Sequence, residues 1–416
     1  MKFLYDFSIH LLLFALQTAS LLGNTKAKKW LQGRENLFEK LEDQIASSRL
    51  TTSKLFWVHC SSLGEFEQGR PLMERLKTVM PECRILLTFF SPSGYEIRKN
   101  YLGADFVFYL PADLKKNAER FVRIVKPDMV FFIKYEFWYN FLDQLATNNI
   151  PHYLIAGTFR NNQYFFKWHG NWARERLKNF THLFLQSKDS FNHLSKFGIT
   201  NASVSGDTRF DRVYDVSKNA REIDSVSQFC LGEKVIVAGS TWAEDEFILA
   251  GSFQHMLNVK LILAPHEIEQ KNMLRVKELF GGHAVCFSEN NTPTQLEDQI
   301  KNCLIIDNIG MLSSLYRYAK IAYIGGGFGS GIHNILEAAV FGVPVIFGPN
   351  YHKFREAEEL ISLGGAFSIR SEKELSDCVG KLLSNETFLA ITSKICFNYV
   401  NKNRGAVDRI INGLNL

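Results

Sequence analysis

Cysteine is scarce in this 416-residue chain and falls into no pattern: seven residues, at positions 60, 83, 230, 286, 303, 378 and 396, with no Cys-x-x-Cys pair. An odd, scattered set argues against a disulfide framework and a structural zinc site, and for a reducing compartment. No His-Glu-x-x-His stretch or Asp/Glu cluster marks a dedicated catalytic metal site. Low-complexity tracts and repeats at solenoid spacing are lacking too. Charge of one sign is nearly balanced, the net being +5. With no recognised nucleic-acid module alongside, that argues against a nucleic-acid partner while permitting contact with anionic lipid. What the chain does have is apolar residues, 46%, including 35 phenylalanines. It is too long for one ordinary domain and comfortable for two of doubly wound size.

Phe3–Leu22 is apolar apart from Asp6, Ser8, His10, Gln17, Thr18 and Ser20, and Lys26, Lys28, Lys29, Trp30 and Arg34 follow it. A signal peptide would need more than one basic residue at its head and a small-x-small cleavage site. A spanning helix needs roughly 20 mostly apolar residues, and this segment carries many polar atoms for one. An uncleaved helix lying in or dipping into the bilayer, with the basic residues and Trp30 at the headgroups, fits best; a span is the runner-up. Basic residues after the segment and reduced thiols put the bulk of the protein in the cytoplasm.

From Leu55 onward, strands and helices alternate. Strands are expected at Leu55–His59, Ile85–Phe90, Phe106–Tyr109, Met129–Ile133, His152–Ala156, Leu183–Leu185 and Ser203–Ser205. A second series runs Val235–Ala238, Leu261–Ala264, Ala284–Phe287, Leu304–Asp307, Ile321–Ile324, Pro344–Phe347 and Ala366–Ile369. Each is a βαβ series and hence a parallel sheet covered by helices on both faces. The organisation expected is an anchor helix and basic linker (1–48), a first domain (49–212), a linker (213–232), a second domain (233–387) and a C-terminal helix (388–416). Ligands of such sheets bind at their carboxyl edges.

Gly325–Glu356, GGGFGSGIHNILEAAVFGVPVIFGPNYHKFRE, leaves the strand Ile321–Ile324 through a glycine loop (Gly325, Gly326, Gly327, Gly329, Gly331) into a helix expected near His333. Glycines there leave backbone amides bare for an anion at a helix start. Glu337, one turn after His333, suits the hydroxyls of a ribose. A glycine run alone is more often only a tight turn, but here His333-Asn334, Leu336-Glu337 and a Gly-x-Pro-Val-x-x-Gly-Pro run follow. This passage resembles the donor-nucleotide motif of GT-B glycosyltransferases, and more narrowly that of the 3-deoxy-D-manno-octulosonic acid (Kdo) transferases. It departs from their pattern at Gly327, Ile332 and Ala338 and in a shortened loop.

Other segments match the same family in order. His59-Cys60-Ser61-Ser62-Leu63-Gly64-Glu65 is similar to its His-Ala-x-Ser-x-Gly-Glu, whose Glu is the proposed general base. From the residues alone, Glu65 is equally an ordinary first-turn helix acid. Lys134–Asn140 matches at Glu136, Trp138 and Asn140, and the resemblance favours an acceptor-site role for Glu136; capping and core filling are the plain alternative. Gly206–Asp211 makes Arg209 a candidate partner for an anion, with Asp207 in place of the family's Asn. Gly239-Ser240-Thr241 suits a phosphate, or simply an N-cap. His266, after Pro265, faces the nucleotide in this reading, although a lone His at a strand end is more often structural; the family's preceding Arg is missing or displaced. Lys353 lies where an anionic sugar would bind, and solvated surface is its default reading. Ser62 and Gly64 leave room for a ligand to approach.

The resemblance spans nearly the whole chain. It implies the GT-B fold, two Rossmann-like doubly wound domains facing a cleft, with an N-terminal membrane-associated helix and a C-terminal helix returning to the first domain. It implies an inverting glycosyltransferase that moves Kdo from CMP-Kdo to a lipid A precursor (lipid IV-A) in lipopolysaccharide synthesis. The first domain would take the acceptor and the second CMP-Kdo. Neither metal nor cofactor would be needed, and inner-membrane lipids would be partners at the cytoplasmic face. A soluble GT-B transferase or epimerase using a UDP-sugar, and a non-enzymatic membrane scaffold, are the readings against which these expectations stand.

Overall fold

A computed structural model describes residues 1–48, 53–253, 256, 258–289, 301–414 and 416. The chain divides into two compact units, Met1–Arg212 with Arg404–Leu416, and Val213–Asn403. The expected boundary at 48/49 falls at the edge of the undescribed residues 49–52.

The first unit holds a seven-stranded parallel sheet: β1 (Leu55–Cys60), β2 (Arg84–Phe89), β3 (Phe106–Tyr109), β4 (Met129–Ile133), β5 (His152–Gly157), β6 (His182–Leu185) and β7 (Ala202–Val204), in the order β3-β2-β1-β4-β5-β6-β7. Alternation along its strands serves two cores. Trp57, Val130 and Phe132 face Phe121, Phe141 and Leu145; Phe56, Val58, Phe131 and Ile133 face Phe66, Leu72 and Leu76. The second unit repeats the plan with β8 (Lys234–Thr241), β9 (Val259–Pro265), β10 (Ala284–Cys286), β11 (Cys303–Ile305), β12 (Ile321–Ile324), β13 (Val345–Phe347) and β14 (Ala366–Ser368), in the order β10-β11-β9-β8-β12-β13-β14. In each sheet the order reverses beside the first strand, between β1 and β4 and between β8 and β12. Such a reversal parts the flanking helices and opens a crevice at the strands' carboxyl ends.

Several expectations are corrected. Residues 25–48 are not a loose linker but the helices Thr25–Gln32 and Leu37–Ser48, whose Ala27, Trp30, Leu37, Leu41 and Ile45 are buried. Trp30 therefore does not reach headgroups: it packs with Ile9 and Phe90, with the Arg34 guanidinium 3.6 Å over its ring. Arg34 is spent on the carbonyls of Trp30, Phe90 and Leu110, and burial lowers its pKa to about 9. The linker expected at 213–232 is mostly helical, Thr208–Lys218 and Asp224–Cys230, its polar faces having hidden the helical period. The single C-terminal helix is two. Glu386–Asn403 stays with the second unit, and only Ala406–Gly413, after Gly405 at φ 88°, packs on the first. Asp211 caps that last helix by accepting from the Gly405 and Val407 amides at 2.6 and 3.0 Å.

The N-terminal helix Lys2–Leu21 is long and apolar enough to cross a membrane. Yet one face follows the first unit: Tyr5, Ile9, Leu13 and Leu16, at helical spacing, pack with Trp30, Ala112 and Leu114. Polar ties hold its start. Lys2 reaches Asp143 at 2.7 Å, the Tyr5 hydroxyl donates to Asp113, and Asn140 donates to Asp6 at 2.9 Å. Phe3, Leu4, Phe7, Leu11 and Phe14 on the other side are exposed.

Candidate functional site

In the first unit, the crevice between β1 and β4 collects the residues singled out by sequence. Ser62 is the N-cap of the helix Leu63–Val79 and Glu65 its N3 residue, and together they form a capping box. Both the Ser62 amide, at 3.0 Å, and its hydroxyl donate to Glu65 Oε2. Oε1 takes no hydrogen bond among the described residues, and Glu65 is half-buried. Gly64 is exposed, and a Cβ there would meet nothing nearer than Ser62 Oγ at 3.7 Å, so its bareness serves no packing need.

Lys134 leaves β4 with φ +70°, a conformation uncommon and costly away from glycine. That turn delivers Glu136, 7% exposed, against His59, which is fully buried at the end of β1. Glu136 Oε2 lies 3.2 Å from His59 Nε2 and accepts from Trp138 Nε1 at 2.6 Å. Both carboxylates lie close enough to Cys60 to act on its thiol. Burial, then Glu65 and Glu136, push the Cys60 thiol pKa well up, so this cysteine is an inert thiol. Glu136 also lines a cavity of about 590 Å³ with Ser61, Trp138, Tyr139, Trp172 and Tyr5 of the N-terminal helix.

Arg209 is not an open cation. Its Nε and Nη2 donate to Asp207 Oδ2 at 2.9 and 2.8 Å, so the residue that replaces the expected Asn has paired it. The same segment ties down structure, with Thr208 Oγ1 donating to the Gln68 carbonyl at 2.7 Å.

In the second unit, the ends of β8, β9 and β12 converge. Ser240 takes φ +53° at the end of β8. Trp242, the next helix's leading residue, stacks on His266 with centroids 4.5 Å apart; His266 stacks on His333 at 4.7 Å. Trp242 Nε1 donates to His333 Nε2 at 3.1 Å. Burial, then the adjoining His266 ring, lowers the His333 pKa to about 4, so the ring is neutral at pH 7. Asn334 bridges into the helix Leu336–Ala339, accepting from the Leu336 amide and donating to Glu337 Oε1 at 3.1 Å. Glu337 is half-buried at that helix's head.

The glycine loop departs from expectation. The helix begins at Leu336 rather than near His333, because the loop folds on itself first. Gly325 donates to the Gly239 carbonyl, Gly326 to Asp245 Oδ2, and both Gly329 and Gly331 to the Gly326 carbonyl. Those amides are not bare. Gly325 and Gly327 instead allow close approach: a Cβ would collide with the Ser240 carbonyl in one case and lie 2.5 Å from the Gly348 amide in the other. Gly239 is likewise required, beneath Tyr316. Thr241 is buried and donates to Glu246 Oε1 at 3.0 Å, which removes its hydroxyl from any ligand. Lys353 is exposed, beyond an Asn350 that braces the loop through Gly327 and Gly329. Among the described residues no group of His, Cys, Asp and Glu is placed to hold a metal ion.

Sequence reasoning quoted His59 only as part of a motif and gave no role to Trp242 or Asp245. Each stands at or just beyond the end of the first strand of its sheet, and that position was the available signal.

The 3-Deoxy-D-manno-octulosonic-acid transferase (kdotransferase) family description matches residues 35–212. The 3-deoxy-D-manno-octulosonic acid transferase of Aquifex aeolicus (strain VF5) is 30% identical over 370 residues, covering 86% of this chain and 94% of that protein. Its counterpart from Rickettsia bellii (strain RML369-C) is 26% identical over 383 residues, 88% and 89% of the two chains. Of solved structures, UDP-GlcNAc 2-epimerase from Neisseria meningitidis bound to UDP-GlcNAc aligns with a TM-score of 0.61 at 15% identity, over 86% of this chain and 99% of that one. That likeness is one of fold, the two-sheet GT-B type.

Proposed function

Since the chain belongs to the 3-deoxy-D-manno-octulosonic acid transferase family and is a glycosyltransferase, we propose that it transfers Kdo from CMP-Kdo, with inversion, to a hydroxyl of a tetraacylated lipid A precursor. The observation that carries this reading is the half-held Glu65 carboxylate, fixed through Oε2 and open at Oε1 in the first sheet's crevice. Oε1 takes the acceptor's proton as that oxygen attacks the anomeric carbon. The bond from that carbon to the phosphate oxygen breaks, and CMP departs with its electron pair. Glu65 serves by position, since the capping box with Ser62 fixes Oε2 and so aims Oε1. Glu136 and the cavity beside it receive the acceptor. In the second unit Asn334, Glu337, His333 and His266 hold the nucleotide through side-chain hydrogen bonds and ring faces, while the glycine loop, its amides largely spent, lets the ligand come close to the backbone. No metal or cofactor takes part in this reading, so EDTA leaves the rate unchanged.

The protein works at the cytoplasmic face of the inner membrane in this proposal, with its N-terminal helix lying in the interface. A helix docked along one face from Lys2 to Leu16, with Phe3, Phe7, Leu11 and Phe14 outward and Lys26, Lys28 and Lys29 exposed nearby, would have to shed those contacts to cross. In inverted membrane vesicles an N-terminal epitope is digested by added protease; protection would mean a span.

The test of the reaction is mass spectrometry of the lipid after purified protein meets CMP-Kdo and the precursor, with UDP-sugars as the competing arm. An unmodified precursor with folded protein, or transfer from a UDP-sugar alone, overturns the assignment.

A further inference from the structure

The strands β1, β2 and β4 bring four buried polar groups into a line. Trp57 Nε1 lies 2.8 Å from Thr88 Oγ1, Thr88 Oγ1 lies 2.9 Å from His59 Nδ1, and His59 Nε2 lies 3.2 Å from Glu136 Oε2. Trp57, Thr88 and His59 are all fully buried. An indole N–H can only donate, so Thr88 Oγ1 must accept from Trp57. The acceptor left for the Thr88 hydroxyl hydrogen among the described residues is His59 Nδ1, which therefore carries no proton. A neutral imidazole with a bare Nδ1 has its hydrogen on Nε2, where Glu136 lies. Trp138 Nε1, also a donor only, lies 2.9 Å from His59 Nε2 and 2.6 Å from Glu136 Oε2; with Nε2 carrying its own hydrogen, the indole gives its hydrogen to the nearer Glu136 Oε2. Two N–H groups thus hold one oxygen, and Oε1 is the atom left for whatever enters the 590 Å³ cavity that Glu136 lines.

We propose that His59 is a positioning residue for Glu136, locked by Trp57 and Thr88 into the Nε2–H form so that Glu136 Oε1 faces the acceptor. The inference rests on the reading of Glu136 as an acceptor-site carboxylate. A buried chain of this kind holds geometry because every member has its partner; removing one leaves the others unsatisfied.

The test uses the full-length protein and pairs a spectrum with kinetics. Nitrogen-15 NMR of labelled histidine, with the His59 signals assigned by their loss in His59→Gln, should show a neutral ring protonated at Nε2. A ring protonated at Nδ1, or at both nitrogens, overturns the proposal whatever the enzyme's activity. His59→Gln sets an amide N–H near the Nε2 position, whereas His59→Asn sets one near Nδ1. The Gln variant should therefore keep kcat within about threefold, while the Asn variant lowers it on the order of tenfold or more, and CMP affinity stays unchanged in both. Equal losses in the two variants, or none, sink the proposal. Thr88→Val, close in shape, keeps the reading testable if His59→Asn does not fold: the His59 signals should then lose their fixed Nε2–H pattern. A protein without Kdo transfer but with the Nε2–H ring would strike the functional reading alone.

Discussion

Glu65 and Asp245 hold the same station in the two units. Each follows the first strand of its sheet, sits three residues past the helix's leading residue, and accepts from that residue's amide, Ser62 at 3.0 Å and Trp242 at 2.9 Å. Beyond that they part. Asp245 is 1% exposed and also accepts from the Gly326 amide at 2.8 Å and the Tyr323 hydroxyl at 2.7 Å. Burial raises its pKa, and those donors pull it back. It pins the glycine loop to the helix and has no oxygen to spare. Glu65, one methylene longer and half-buried, keeps Oε1 open. Equal places in a repeated architecture therefore give one carboxylate that organises the backbone and one available for chemistry. What separates them is the number of donors that reach them, not their place on the helix.

The comparison breaks most decisively at Glu65. Glu65→Gln keeps a capping-box residue, since Gln serves at N3 as Glu does. Thermal stability should hardly move, while kcat falls by about 10²–10⁴-fold and CMP affinity holds. A kcat within threefold of wild type would remove the base from the mechanism. Asp245→Asn should show the reverse. An amide can accept through one oxygen only and turns its NH2 toward the Gly326, Trp242 or Tyr323 donors, so denaturant unfolding should report a loss of about 2–4 kcal/mol. CMP binding, measured by calorimetry, should fall with it as the glycine loop loosens. If instead Asp245→Asn abolished turnover with stability intact, the two carboxylates would be alike after all.

Much of this was legible beforehand. Buried parallel strands are apolar, β-branched runs, which is why all fourteen strands among the described residues could be located from sequence, and the glycine loop leaves the end of β12 as expected. The extent of β8 was not: its residues Gly239–Thr241 continue past Ala238 because Thr241 pairs with Pro265 after a register shift. Hydrogen-bond bookkeeping was hidden as well. Nothing local in Gly325–Gly331 reveals that the loop's amides are consumed by Gly239, Asp245 and its own Gly326, that Thr241 is spent on Glu246, or that Asp207 claims Arg209. Those pairings depend on which groups the fold brings together. His59 and Trp242 gave the same difficulty, since a histidine or tryptophan at a strand end reads alike as packing or as site until its partners are known.

Asp207 offers a smaller test of how donors decide a residue's role. Asp207→Asn keeps the turn but removes the charge that holds the Arg209 guanidinium, so KM for the anionic substrate should fall roughly threefold, with a steeper dependence on salt. Arg209→Ala should then cost more when combined with Asp207→Asn than on its own, a coupling read from the double-mutant cycle. Additive effects would mean that Arg209 acts only on its own loop.

The smallest expected effect concerns His333, the neutral ring proposed to meet the nucleotide. Its pKa is lowered from 6.5 to about 4. The unfolded chain therefore takes up this proton at higher pH than the folded one. The stability His333 confers is complete above about pH 6.5 and is lost as pH falls through 6.5 toward 4. The ring is partly solvated, so the loss should stay under about 1 kcal/mol. His152 and His182, also lowered by burial, act in the same direction, which makes the difference between wild type and His333→Asn the quantity to measure. That difference in denaturant midpoint should shift against the wild type between pH 7 and pH 5, and CMP affinity should show no His333 titration between pH 6 and 8. A CMP affinity that rises as pH drops through 7, and does so only with His333 present, would mean the ring binds as a cation, and the second unit would then be answering phosphate with charge rather than with oriented neutral donors.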